Sequence, residues 1–289
     1  MLKAPLHADE FIDSSTILHD ATELQRRAHQ EGYLFFPGLL ERAAVLRVRK
    51  DFVKILQDHD WLAAGTDPMD ASAGRNAVWE GQEEYWPILD SFQRLESFHR
   101  LAHEPSIVAV FERIFDESVL VHPRNIGRIM FPTTPQTPPH QDYGHIKGTP
   151  STWSAWLPLG DCPRSHGALA VMPRTHREGL FSTVLMPGAG GEGIAEQDLK
   201  GRWVSADFNC GDVLMFHSHL VHRGLANTTA DRLRISCDFR YQPASEPVHA
   251  SSLRPHYGRM RWERIYQGWQ NDDCKYYWTR FPLKIVDSD

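Results

Sequence analysis

The chain has 289 residues, of which 41% are hydrophobic and 24% charged, enough to build a sizeable core and incompatible with wholesale disorder. Thirty-one basic against thirty-seven acidic residues leave a formal charge of −6, without the positive field that nucleic-acid or anionic-membrane binding uses. No apolar run is long enough to span a bilayer, and the N-terminal MLKAPLHADEF turns acidic before a leader's apolar region forms, so the cytoplasm is the expected compartment. Residues 20–31 read as an amphipathic helix capped by Asp20 and ended by Gly32. The aromatic run Tyr33–Leu40 reads as a buried strand entering a turn, and Glu41–His59 returns to helical spacing through Val45, Val48, Phe52 and Ile55. Residues 60–80 read as loops, and 85–117 as further helices, one starting at Glu104-Pro105.

After residue 117 short Val-, Ile-, Phe- and Trp-rich runs alternate with Pro, Gly, Asn and Asp. Strands are expected at Val119–His122, Ile126–Phe131, Trp153–Leu159, Ala168–Met172, Val213–His217 and Arg232–Tyr241. Helices first and strands after imply a mostly β fold with α, a helical layer over about 1–117 packed on a β-barrel or jelly-roll core over about 118–242. The aromatic, basic stretch Trp262–Phe281 reads as a helix within a covering segment, 243–289. With no repeat, heptad or linker, residues 1–289 read as one domain.

Four cysteines lie far apart with no CxxC pair, which argues against a disulfide scaffold or a thiolate zinc site, and no local motif makes any of them a nucleophile. Gly188-Ala-Gly-Gly-Glu-Gly193 matches GxGxxG, but Pro187 precedes it and no long helix follows; it reads as a mobile lid rather than a dinucleotide fingerprint. The sixteen histidines direct attention to metal chemistry. In Pro138-Pro-His140-Gln-Asp142 a histidine and an aspartate two positions apart on a strand point the same way, so a nitrogen and a carboxylate oxygen can reach one ion. Far downstream, Gly211-Asp-Val-Leu-Met-Phe-His-Ser-His-Leu-Val-His222 is a turn and an apolar strand ending among three histidines, His217, His219 and His222, any of which can supply a third ligand. Two histidines and one carboxylate on one face of an octahedral iron(II) leave three positions open, two for a 2-oxo acid and one for dioxygen. An arginine fork is the natural partner for that acid's far carboxylate, and Arg232 and Arg234 share strand parity.

HQD, GDVLMFHSHLVHRGLAN and the arginine after them resemble the phytanoyl-CoA dioxygenase (PhyH-like) branch of iron(II)/2-oxoglutarate oxygenases. So do Gly167-Ala-Leu-Ala-Val-Met-Pro-Arg-Thr-His176, Trp153–Leu159 with Asp161, and the early Gly-Tyr-Leu-Phe-Phe-Pro-Gly-Leu-Leu, together spanning roughly residues 24–242. The resemblance implies a double-stranded β-helix (jelly-roll, cupin-like) core. It implies His140, Asp142 and His222 as iron ligands, with His219 the runner-up for the third, Arg232 as the 2-oxoglutarate arginine, and Gln141 and Trp156 as co-substrate contacts. The cofactors implied are Fe(II), 2-oxoglutarate and dioxygen. The reaction implied is hydroxylation of a small-molecule metabolite or natural product, with release of succinate and carbon dioxide.

Desaturation or epimerisation on the same fold is the alternative outcome, and a non-enzymatic cupin-like binding protein the alternative class. Asp142 argues against a halogenase, which would lack the carboxylate. Tyr143 and His145 are candidates for the substrate side, Arg223 for the pocket rim, and Arg128 for the place of a lysine that some relatives carry. The expected partners are a small-molecule substrate, no nucleic acid and no membrane, in a monomer or homodimer. The basic cluster Arg254, Arg259, Arg261 and Arg264 reads as a helix face before it reads as an acyl-CoA rim.

Overall fold

A computed structural model describes residues 8–287. The first seven residues, on which much of the leader argument rests, lie outside that range. The helices are α1 (Ala21–Glu31), α2 (Arg42–Asp58), α3 (Trp86–Gln93), α4 (Glu96–Leu101), α5 (Pro105–Phe115), the single turn α6 (Tyr143–Ile146) and α7 (Trp262–Ile265). The strands up to the site are β1 (Asp9–Glu10), β2 (Tyr33–Phe36), β3 (Val119–Val121), β4 (Ile126–Met130) and β5 (Trp153–Pro158). They continue as β6 (Leu169–Val171), β7 (Val184–Leu185), β8 (Glu192–Gly193), β9 (Val204–Ser205), β10 (Val213–His217), β11 (His222–Gly224) and β12 (Arg234–Pro243), and end with β13 (Val248–His249) and β14 (Ile285–Val286).

The helices form where local chemistry dictates. The Asp20 carboxylate accepts from the Glu23 amide at 3.0 Å and caps α1. The stripe Val45, Val48, Phe52 and Leu56 on α2 is buried, and Pro105 opens α5 at a position where its missing amide hydrogen is not needed. All three pack on the outer face of the larger sheet. That sheet runs β2-β10-β5-β12, with β3 and β4 both paired to the far edge of β12. The smaller sheet runs β1-β9-β6-β11. The two face each other as the expected jelly roll, and the sheets stay open rather than closing into a barrel.

Alternation on the strands sorts the two cores. On β12, Ile235, Cys237, Phe239 and Tyr241 join the core beneath the helices. On β2, β5 and β10, Tyr33, Phe35, Trp156, Leu214 and Phe216 turn the other way and pack between the sheets against Leu169, Val171 and Val204. The Gly211-Asp212 turn sets β10 in place. At Gly211 (φ +110°) a Cβ would lie 2.4 Å from the Leu40 carbonyl oxygen. The Asp212 carboxylate accepts from the amides of Gly38 at 2.8 Å and Asn209 at 2.7 Å, tying the start of β10 to the end of β2.

The C-terminal segment does cover the core, but not as the expected helix. Between α7 and a 3-10 turn at Tyr277–Arg280 the chain is irregular. Trp262, Tyr266, Trp269 and Trp278 bury against one another and Leu120, and bulky aromatic contacts hold the segment where a helical ladder was expected. The GxGxxG stretch closes the hairpin β7–β8, and no helix opens from it. All four cysteines are free and buried.

Candidate metal centre

His140 and His222 sit opposite each other in an isolated antiparallel bridge, which brings their ring centroids to 4.1 Å. Just after His140 the backbone leaves the extended conformation, and Asp142 takes helical dihedrals at the start of α6. This turn aims the Asp142 carboxylate back at the two rings. Its Oδ1 lies 3.8 Å from Nε2 of His140 and 3.8 Å from Nε2 of His222. Among the described residues these three form the one His/Cys/Asp/Glu group whose ligand atoms converge, within 4.8 Å of one another.

The hydrogen bonds fix the tautomers. Nδ1 of His140 donates to the Pro138 carbonyl at 2.9 Å, and Nδ1 of His222 to the Leu220 carbonyl at 3.0 Å. A carbonyl only accepts, so each Nε2 keeps its lone pair and points at the shared space. Burial, with His222 alongside, lowers His140 to about 3, and burial lowers His222 as well. Both are neutral and ready to ligate. Burial alone would raise Asp142; the Arg240 guanidinium outweighs it, with a hydrogen bond from Ser154, and the carboxyl lies well below its usual range. Arg240 Nη2 lies 3.2 Å from Asp142 Oδ2, and Ser154 Oγ donates to the same oxygen at 2.5 Å. Ser154 and Arg240 are register partners on β5 and β12, so one pair of sheet positions orients the carboxylate.

The polar half of β12 builds the rest of the site. Arg234, Ser236, Asp238 and Arg240 alternate with the apolar core residues and face the space between the sheets. A narrow cavity lined by His140, Asp142, His222, Trp156, Arg234 and Asp238 runs into a wider one of about 180 Å³. Arg234 is buried, and among the described residues no carboxylate lies within ion-pair distance of it. Its Nε has no partner, its Nη1 donates to Ser236 Oγ at 2.7 Å, and its guanidinium lies 5.9 Å from the Trp156 ring centroid. A buried guanidinium without a carboxylate partner, beside a three-ligand metal face, fits an anionic co-substrate.

Arg232 is elsewhere. Asn227 and Thr229 bond its carbonyl in the turn before β12, and its side chain, 42% exposed, pairs with Asp70 at 2.9 Å. It does not line the cavity, so the expectation that made Arg232 the co-substrate arginine is corrected; Arg234, one alternation further on, lines the cavity instead. Parity could not separate the two; the start of the strand does. Gln141 is corrected as well. Its amide faces away from the ligands, donating to the Gly179 and His219 carbonyls at 2.8 and 2.7 Å and accepting from the Phe181 amide at 2.8 Å. Alternation that turns His140 inward turns Gln141 onto the 179–181 segment. Trp156 lines the narrow cavity, its ring 5.9 Å from the Arg234 guanidinium.

Of the other candidates, His219 packs against Tyr143 and His217 against Trp153, both apart from the ligands. Tyr143 is thereby directed away from the cavity, whereas His145 lines it. Arg223 stacks on Trp203 and pairs with Glu196 at 2.6 Å. Arg128 reaches the cavity but is clamped between Asp238, at 3.1 Å, and Glu80. Glu80, Arg124 and Arg240 went unread in the sequence. For Arg240 the signal was present, since Arg234-Ile-Ser-Cys-Asp-Phe-Arg240 alternates polar with apolar residues throughout.

A sequence signature described as phytanoyl-CoA dioxygenase (PhyH) matches residues 28–236. The chain belongs to the phytanoyl-CoA dioxygenase family. It is 28% identical over 262 residues to 1-deoxypentalenic acid 11-beta-hydroxylase of Streptomyces arenae, covering 85% of this chain and 89% of the relative. It is 25% identical over 231 residues to the human peroxisomal phytanoyl-CoA dioxygenase, covering 74% and 67%. Among solved structures, the epimerase SnoN in complex with Fe3+, alpha ketoglutarate and nogalamycin RO shares the fold at a TM-score of 0.57 and 20% identity, over 79% of this chain and 85% of that one. Family and ligand set together make this PhyH-family member a non-haem iron, 2-oxoglutarate-dependent oxygenase.

Proposed function

We propose that residues 1–289 form one catalytic unit that hydroxylates a small-molecule natural product or related metabolite, with 2-oxoglutarate as co-substrate. The observation that carries this reading is the convergence of two histidine Nε2 lone pairs and one carboxylate beside a buried arginine that no carboxylate pairs and whose Nε has no partner. Iron(II), 2-oxoglutarate and dioxygen supply the oxidising chemistry, one oxygen atom ending in succinate and the other in the product, with loss of carbon dioxide. The chain's residues supply geometry and exclusion of water. His140, His222 and Asp142 hold one face of the metal. Arg234 grips the far carboxylate of 2-oxoglutarate against Trp156. Arg240 and Ser154 keep the Asp142 carboxylate in its ligating orientation. Ala189 and Gly190, at the tip of the β7–β8 hairpin, line the wider cavity and shield it from water.

Among the described residues no helix is long and apolar enough to cross a membrane. Four free, buried cysteines support a reducing compartment such as the cytoplasm. The test is succinate release with iron(II) and 2-oxoglutarate across a metabolite library, with mass spectrometry of each product. A mass gain of one oxygen atom on a library member is the expected result. Succinate release without any oxygenated product, across every compound that stimulates it, would point to an epimerising or desaturating outcome. His140→Ala, Asp142→Ala and His222→Ala should each retain the native circular dichroism while losing bound iron. Removing a residue that merely orients a metal ligand costs about 10- to 100-fold in affinity, and losing the ligand itself should exceed that.

A further inference from the structure

The cavity that holds the metal face carries more positive charge than the proposed iron and 2-oxoglutarate can use. Arg124, Arg128, Arg234 and Arg240 line its connected parts. Against them stand Glu80, Asp142 and Asp238. The buried histidines add no charge: His140 and His222 each turn a free Nε2 lone pair to the metal face while Nδ1 donates to a carbonyl, and burial lowers His256 to about 4. Four positive and three negative charges leave one in excess. A divalent iron raises the excess to three, 2-oxoglutarate takes two, and one positive charge remains uncompensated in a desolvated space, where an unpaired ion is costly.

The pairing pattern shows where that charge sits. Arg128 already meets two carboxylates, Glu80 and Asp238. Arg234 is the co-substrate arginine of the proposed function. Arg240 touches only Asp142, whose oxygens are claimed by the metal and Ser154. Its Nε and Nη1 are buried and without any partner, in a side chain only 7% exposed. Arg124 has no carboxylate within ion-pair distance among the described residues, and its one hydrogen-bond partner there is the neutral Nδ1 of His256, at 3.5 Å. Arg124 and Arg240 both line the wider cavity, and both line a smaller recess beside it with His122 and Ser252.

We infer that the substrate carries a single carboxylate, bound between Arg124 and Arg240, which places its carbon skeleton toward the metal face and the hairpin tip. Two guanidinium groups offer the planar, charge-assisted contacts that a carboxylate takes up. Apolar surface stands ready for the skeleton, with Ile126 and Ala189 on the wall and Trp79, Pro135 and Met130 in the adjoining cleft. The inference names the substrate class for the proposed oxygenase and rests on that reading of the same cavity.

The test measures binding, not turnover. Protein saturated with Mn(II) and 2-oxoglutarate under argon is titrated calorimetrically with benzoate, cyclohexanecarboxylate and decanoate, each against its primary amide. At least one acid should bind about 10- to 100-fold tighter than its amide, corresponding to about 1.4–2.8 kcal/mol. Arg124→Gln should bring that ratio to within about twofold, and Arg124→Lys should restore part of it, with 2-oxoglutarate affinity unchanged in both. Equal binding of acid and amide, no acid binding at millimolar concentration, or tighter binding of free coenzyme A than of any acid would overturn the inference. Failure of 2-oxoglutarate itself to bind the Mn(II)-loaded protein would instead overturn the oxygenase reading, so the two failures are distinguishable.

Discussion

His140 and His222 exchange both backbone hydrogen bonds with each other, His140 N to His222 O at 2.9 Å and His222 N to His140 O at 3.0 Å. The sheet ladder itself therefore sets the spacing of the two nitrogen ligands. Residues far apart in the chain become nearest neighbours on one face, and each ring is then locked by its own Nδ1 contact to a carbonyl two residues earlier. A metal face built this way needs little rearrangement to receive its ion.

The two arginines at the start of β12 should separate cleanly. Arg234→Ala should weaken 2-oxoglutarate binding by roughly 30-fold to several-thousand-fold, since truncating one partner of a buried charge pair costs about 2–5 kcal/mol and each 1.4 kcal/mol is about tenfold. Arg232→Ala should leave that affinity within about twofold and lower stability by at most about 1 kcal/mol, because it removes a half-exposed ion pair with Asp70. Calorimetric titration of 2-oxoglutarate and a urea melt read both effects. A larger loss of 2-oxoglutarate affinity in the Arg232 variant would return the co-substrate role to that residue.

Gln141 should behave as a structural residue despite lying between two metal ligands. Gln141→Leu strands the carbonyls of Gly179 and His219 and the amide of Phe181. A loss of about 1–3 kcal/mol in stability is expected, measured by denaturant titration. The affinity for 2-oxoglutarate, measured on the same protein, should stay near normal.

Acid should destabilise the fold through its buried histidines. Burial holds His99 and His122 neutral, each lowered to about 4 from the usual histidine value of about 6.5. Their folded values lie below the unfolded one, so the unfolded chain binds more protons as pH falls. Stability from this source is complete above about 6.5 and is lost as pH falls from there toward 4, by up to about 1.4 kcal/mol per pH unit for each histidine. Urea midpoints at pH 7.5 and 5.0 test this. His122→Gln should lower stability at pH 7.5 and flatten its dependence on pH; an undiminished slope would assign the acid sensitivity to other groups.

The β7–β8 hairpin should act on coupling rather than on binding of the metal. Gly188 lies so close to the chain at residue 136 that a Cβ there would meet the Gln136 carbonyl oxygen at 2.2 Å, so the hairpin is seated against the cavity mouth through a glycine. Replacing Gly188–Gly191 with a two-residue turn should raise the 2-oxoglutarate consumed per product formed, by admitting water to the site. The ratio of succinate to oxygenated product measures it, and iron content should not change.

The fold class was legible in the sequence because it rests on local pattern. The candidate ligands His140 and Asp142 came from a short motif, while the choice of His222 among three neighbouring histidines came from the family resemblance. A histidine and an aspartate two apart, a Gly-Asp turn leading into an apolar strand, and helices preceding strands are all short-range signals. The turn, the strand and the helical layer have their counterparts in the structure, whereas the His-Asp pair sits at a turn into a helix rather than along one strand. Trp262–Phe281 misled because aromatic density reads alike in a helix and in an irregular segment pinned by ring contacts. Tertiary structure alone decided which arginine enters the cavity. Arg232 and Arg234 have the same parity and the same charge, and only the turn held by Asn227 and Thr229, with Asp70 waiting outside, leaves the first at the surface and starts the strand at the second. The same holds for Glu80, Arg124 and Arg240, which come from distant segments and meet in one cavity. Side-chain alternation states which residues share a face of a strand; which strands the folded chain brings together states what those faces hold.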